Sequence, residues 1–179
     1  MNPKTLILAL GNILMTDEAV GAEVIRRLET EIDPAAPLRF IDGGTLSFTL
    51  AEPIGDCPRL IVVDAAAMGE TPGSVRVFEG EDMDRQLRVH ARTVHEVSLA
   101  DLLDVARLTD SLPARRALVG IEPEIIDWGE RLTPTVAAAV PVAIAQIRDL
   151  LAKWDASGSA EGAFQASSCP PDRPLMRQN

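Results

Sequence analysis

The chain has 179 residues, with 17 basic and 27 acidic side chains and a net charge of −10. That length suits one globular domain, and an apolar share of 46 % is too high for a disordered chain. The acidic balance argues against nucleic acid or an anionic membrane as partner, because both require a basic face; a basic protein or a cation remains compatible. The two cysteines, Cys57 and Cys169, lie 112 positions apart and form no CxxC pair, which suits free thiols in a reducing cytoplasm. No apolar run reaches the length of a membrane span, and the short apolar start, TLILAL, lacks the cleavage site of a signal peptide.

Residues 6–10 read as a buried strand. Residues 17–32 read as a helix, with Val20, Val24 and Leu28 at four-residue steps and Ile25 and Ile32 widening the stripe. LRFIDGG (38–44) is a second strand ending in a Gly-Gly turn, and residues 45–54 form a short helix halted by Pro53 and Gly55. LIVVDA (60–65) is a continuous β-branched run suited to a sheet covered on both faces. VRVFEG (75–80) alternates as a fourth strand, and about ten residues before it are too few for a helical crossover, so it pairs antiparallel or lies at an edge.

Residues 95–108 read as a helix with Leu99, Leu102, Leu103 and Ala106 on one face, and ALVGIEP (117–123) as a fifth strand. The last helix runs over 132–154, with Thr133 as cap, Pro134 at its first position and Pro141 as an interior kink. From residue 155 the composition turns to Gly, Ser and Pro without period, so the domain spans 1–154 and residues 155–179 form a flexible tail without function. The order β-α-β-α-β-β-α-β-α implies a three-layer α/β/α sandwich with a twisted, mostly parallel five-stranded sheet and one antiparallel strand.

In such folds the working crevice lies outside the carboxyl ends of the strands. Asp42 and Asp64 end strands, and Asp17 and Glu18 follow the first strand's loop, so a parallel sheet gathers all four carboxylates at one edge. A loop of about fourteen residues returns the chain to that edge at His95. Thr93 and Glu96 have capping-box spacing, which puts His95 in a first helical turn and leaves Thr16 or Asp17 to cap the earlier helix. An acid in a first turn needs no function, because the helix dipole favours it. Two carboxylates and an imidazole brought to one crevice nevertheless suit a divalent metal: nickel, zinc, cobalt or cadmium. The sequence has no GxSxG elbow, and the loop at Gly11 has neither GxGxxG nor the GK[ST] ending of a phosphate loop. Gly11 permits a tight turn, and Gly21 permits close packing of helix on sheet.

GNILMTDEAVG (11–21), DGGTLSFTL (42–50), LIVVDA (60–65), HEVSLADLL (95–103), LVGIEPEII (118–126) and LTPTVAAAVP (132–141), in this order, resemble the hydrogenase maturation endopeptidases over residues 5–152. The resemblance implies an α/β/α fold and a protease that trims a C-terminal extension from the large-subunit precursor of a [NiFe] hydrogenase once nickel is inserted. It implies metal binding by Glu18, Asp64 and His95, with nickel supplied by the precursor or another divalent metal in its place. Asp17 then becomes a cap or a support to the metal site, and Asp42 a candidate for substrate contact or for activating water. Many relatives have Asp-Asp-Gly where this chain has Asp17-Glu18-Ala19, and Gly where it has Ser98. The acidic balance and modest apolar fraction suit a monomer meeting its precursor transiently, in the cytoplasm that the two lone cysteines suit. The alternative is a non-enzymatic nickel-binding chaperone or checkpoint protein that uses the same ligands.

Overall fold

The computed structural model describes residues 4–45, 47–90 and 98–165. Its elements in chain order are β1 (Thr5–Ala9), α1 (Val20–Glu31), β2 (Leu38–Asp42), α2 (Ala51–Gly55), β3 (Arg59–Ala65), β4 (Val75–Glu79), α3 (Glu81–His90), α4 (Leu99–Leu108), β5 (Arg115–Ile121) and α5 (Pro134–Gln165). Short 3-10 turns at Thr16–Ala19 and Phe48–Leu50 lead into α1 and α2.

One sheet carries all five strands in the order β2-β1-β3-β5-β4. β2, β1, β3 and β5 run parallel. β4 runs antiparallel along β5 at the edge, with Val75 opposite Ile121 and Glu79 opposite Ala117. This is the expected α/β arrangement, and the short β3–β4 connection is its cause.

Side chains alternate across the sheet, so each central strand feeds two cores. Leu6, Leu8, Leu60, Val62 and Leu118 pack on one face with Ile54 of α2, Met83 of α3 and Leu102 and Leu103 of α4. The opposite parity, Ile7, Ile61, Val63 and Val119, is also fully buried. α1 covers β1, β2 and β3, and it shares a cavity wall with Ala137 of α5. Burying one such aliphatic side chain contributes about 1.5–3 kcal/mol.

Three local features differ from expectation. α3 lies where a loop was expected. Only Met83 and Leu87, one turn apart, face the core, and the rest of the helix is charged, so it carries almost no apolar period. Its first turn instead holds Glu81, Asp82 and Asp84, which the helix dipole favours. Second, α4 begins at Leu99, where Ser98 and Asp101 form the capping box; Thr93, His95 and Glu96 lie outside the described residues. Third, α5 continues past Trp154 to Gln165. It passes through Pro141, which forgoes one helical hydrogen bond.

The Pro134–Ser157 stretch of α5 is long and apolar enough to cross a membrane by length and composition. Val136, Val140, Ala143 and Ile147 are nonetheless buried in the protein, as in the core helix of a globular domain. The chain divides into compact units Met1–Ile147 and Arg148–Asn179. The first holds the whole sheet; in the second the described residues are helical.

Candidate functional site

The carboxyl end of the sheet is shaped by two glycines. Gly11, with φ +119°, turns the chain off β1, and a Cβ there would lie 2.0 Å from the carbonyl oxygen of Glu18. Only a glycine lets the Thr16–Ala19 turn fold back this tightly over the strand end. At the start of α1, a Cβ on Gly21 would meet the carbonyl oxygens of Val63 at 2.6 Å and Leu10 at 2.8 Å. The helix therefore sits directly on the ends of β1 and β3, as the spacing implied. Together these contacts place Glu18 beside the end of β3, where Asp64 stands.

Asp17 and Glu18 take different roles. Asp17 is fully buried. Its carboxylate accepts hydrogen bonds from the backbone N–H groups of Glu124 (3.0 Å), Ile125 (2.9 Å) and Thr133 (2.7 Å) and from the Thr133 hydroxyl (3.1 Å). Neither Thr16 nor Asp17 caps its own helix: α1 has no side-chain cap. Both residues instead hold the loop that follows β5. The Thr16 hydroxyl donates to the Ile125 carbonyl (2.6 Å) and accepts from the Asp127 N–H (3.1 Å). Thr133 caps α5 as expected, accepting from the Val136 N–H.

Glu18 and Asp64 line one cavity of about 410 Å³, whose walls include Leu10, Leu99, Leu118 and Ile126, with Ser98 at the start of α4. Burial raises the Asp64 carboxyl from 3.8 to about 7. An N–H bond from Ala65 acts the other way, and the charge of Glu18 adds to the rise. Two facing carboxylates in an apolar cleft form a donor set that fits a cation. Among the described residues no group of three His, Cys, Asp or Glu side chains is close enough to hold a metal, and the third expected ligand, His95, lies outside them. The chain leads out of that stretch at Ser98, within the cavity wall.

Asp42 ends β2 at the same edge but does not line this cavity. It is exposed, accepts from the Gly44 N–H (3.0 Å) and borders two neighbouring hollows. One, of about 480 Å³, is walled by Gly11, Asn12 and the Gly43–Thr45 loop. The parallel sheet thus gathers the acids at one edge, while β1, between β2 and β3, separates Asp42 from Asp64.

Glu122 escaped the sequence reading. It is buried, and its carboxylate accepts from the N–H groups of Met68 (2.6 Å) and Glu70 (3.2 Å). It so fixes the loop after Asp64. An acid just beyond a strand is a common turn residue, and nothing local marks this one as buried.

The fold and site together define an α/β protein with a carboxylate-lined cleft at the strand ends, suited to a cation. The chain belongs to the hydrogenase maturation protease family, which it matches over residues 22–150. It is 32 % identical to the hydrogenase 2 maturation protease of Escherichia coli K12 over 145 residues, 80 % of this chain and 88 % of that one. It is 34 % identical to the hydrogenase expression/formation protein HupD of Rhodobacter capsulatus over 153 residues, 84 % and 72 % of the two chains. The solved structure of the hydrogenase maturating endopeptidase HybD from E. coli matches with a TM-score of 0.76 at 32 % identity, covering 86 % of this chain and 93 % of that one. The chain is accordingly a peptide-bond hydrolase of hydrogenase maturation.

Proposed function

We propose that this endopeptidase removes a C-terminal extension from the large-subunit precursor of a [NiFe] hydrogenase, and that it recognises the nickel the precursor already carries. The observation that supports this reading is the shared cavity of Glu18 and Asp64. In it two carboxylates meet in apolar surroundings, with a charge balance that a cation would correct. Nickel is here part of the substrate, and oxygen donors with an imidazole suit it. Glu18 and Asp64 bind it from the cavity wall, and His95 is the third ligand.

Holding the precursor's metal at this edge positions the neighbouring peptide bond, and orientation alone can supply much of a rate enhancement. Asp42 borders the adjoining hollow. That placement suits contact with the substrate chain more than activation of a water at the metal. The design needs no resident nucleophile, and it keeps the protease idle until cargo arrives. The reading places the protein in the cytoplasm as a monomer, consistent with the free, buried thiol of Cys57.

Intact-mass spectrometry of nickel-loaded and nickel-free precursor, each incubated with the protein, tests the reading. Loss of a C-terminal peptide from the loaded precursor alone is expected, together with loss of processing in Glu18→Gln and His95→Ala. Equal cutting of both precursors would remove nickel recognition. Normal rates in both variants would remove the ligand assignment.

A further inference from the structure

Beside the cavity the protein exposes a group of large apolar side chains. Trp128 is 77 % exposed, Ile13 56 %, Ile125 and Ile126 49 % each and Leu14 45 %. These residues come from two distant segments stitched together by backbone bonds. The Gly129 N–H donates to the Leu14 carbonyl (2.9 Å), the Thr16 N–H to the Gly129 carbonyl (2.8 Å) and the Asp17 N–H to the Ile125 carbonyl (3.3 Å). The buried Asp17 carboxylate fixes the same loop from beneath. The patch is therefore preorganised, and an ordered apolar surface of this kind marks an interaction site. It is continuous with the catalytic cleft, because Ile126 also lines the cavity of Glu18 and Asp64.

Charge narrows the occupant. Glu124, Asp127 and Glu130 are exposed in this loop, against one exposed cation, Arg131. A second copy of the chain would bring the same acids, and a net charge of −10, onto this surface. A complementary partner carries apolar side chains beside lysine or arginine.

Resting on the processing reading above, we infer that Ile13, Leu14, Ile125, Ile126 and Trp128 form the docking surface for the precursor, engaging an apolar and basic stretch of its chain next to the cut. Trp128 is the anchor, since interface binding concentrates in a few aromatic residues. The surface acts in binding and takes no part in the chemistry.

The chain has two tryptophans, and the other, Trp154, is 3 % exposed. Iodide quenching of tryptophan emission in the protein alone therefore reads Trp128, with Trp154→Phe as a check and Trp128→Phe mixed with precursor as the blank for the precursor's own emission. Adding nickel-free precursor, which is expected to stay uncut, to the protein with Glu18 intact should shield Trp128 and shift its emission to the blue, and high salt should weaken the effect. In the active protein Trp128→Ala should raise KM about tenfold or more, with kcat within about twofold. Trp128 is exposed, so that variant folds. Unchanged KM with unchanged quenching overturns the proposal, and salt-insensitive binding overturns its basic component. Shielding that grows with protein concentration in the absence of precursor points to self-association and also overturns it. Failure of the processing reading is separately visible as absence of any mass loss, whatever Trp128 does.

Discussion

Replacing Asp64 by asparagine is expected to stabilise the metal-free protein at neutral pH. Burial first, and the charge of Glu18 further, lift this carboxyl from 3.8 to about 7. Between those values the folded chain keeps a proton that the unfolded chain has lost, so stability falls as pH rises through the window. A difference of about 3 units at about 1.36 kcal/mol per unit sets a ceiling of about 4 kcal/mol. The cleft opens to solvent, and water reaching the carboxylate lowers the expected gain to about 2 kcal/mol. Asparagine keeps an oxygen to accept the Ala65 N–H bond and has nearly the same volume, so the substitution removes the charge and little else.

Urea denaturation of both proteins in chelator, from about pH 4 to about pH 8, reads the effect directly. The two should be equally stable near pH 4, diverge steadily and reach a constant gap above about pH 7. Other titrating groups cancel in the difference. A gap that is flat across the whole range would refute the reasoning, because the variant would then be acting through packing. With a divalent cation present the ordering should reverse, since the cation stabilises the form with Asp64 ionised and gains less from an amide.

Asp17→Ala leaves three part-buried N–H donors, those of Glu124, Ile125 and Thr133, without their acceptor; a loss of about 2–4 kcal/mol is expected in the same denaturation assay. Gly21→Ala suits the helix but drives a methyl onto the carbonyls of Val63 and Leu10, which should cost about 1–3 kcal/mol and shift Glu18; an unchanged urea midpoint would count against the tight packing. Arg116→Met removes the two guanidinium bonds (2.9 and 2.6 Å) that hold Asp84 below the usual carboxylate range. Arg107 still donates to Asp84 (3.1 Å) and the site is partly open to water, so about 1–2 kcal/mol should be lost at pH 7. Because the pair depends on ionised Asp84, the difference between wild type and variant should persist above about pH 4 and fade as pH falls through the depressed value.

Where strands are continuously apolar, as in residues 60–65, burial on both faces is written into composition, and the sheet follows. The carboxyl-edge location of Glu18, Asp42 and Asp64 follows in turn from parallel strands. Features that depend on single buried polar contacts were not legible. Asp17 looks like a helix cap in sequence because its partners lie more than 100 positions away. α3 was missed because it needs only Met83 and Leu87 to face the core. The Thr93–Glu96 spacing and the Ser98–Asp101 box satisfy the same local rule, and the pattern of the sequence does not by itself say that α4 is capped at Ser98.

Two adjacent acids so do separate work within one turn. Consecutive residues of a 3-10 turn point about 120° apart, which sends Asp17 into the backbone of the 124–133 segment and Glu18 into the cleft with Asp64. The loop that carries Ile126 and Trp128 is thereby fixed by the neighbour of a proposed metal ligand. Displacing the turn would move docking surface and ligand together. A precursor seated on the loop is therefore presented to the carboxylates at a set distance, without a moving part between binding and chemistry. The repulsion between Glu18 and Asp64 is the corresponding cost. It is felt as Asp64 ionises with the cleft lacking a cation, and it favours whatever substrate brings one.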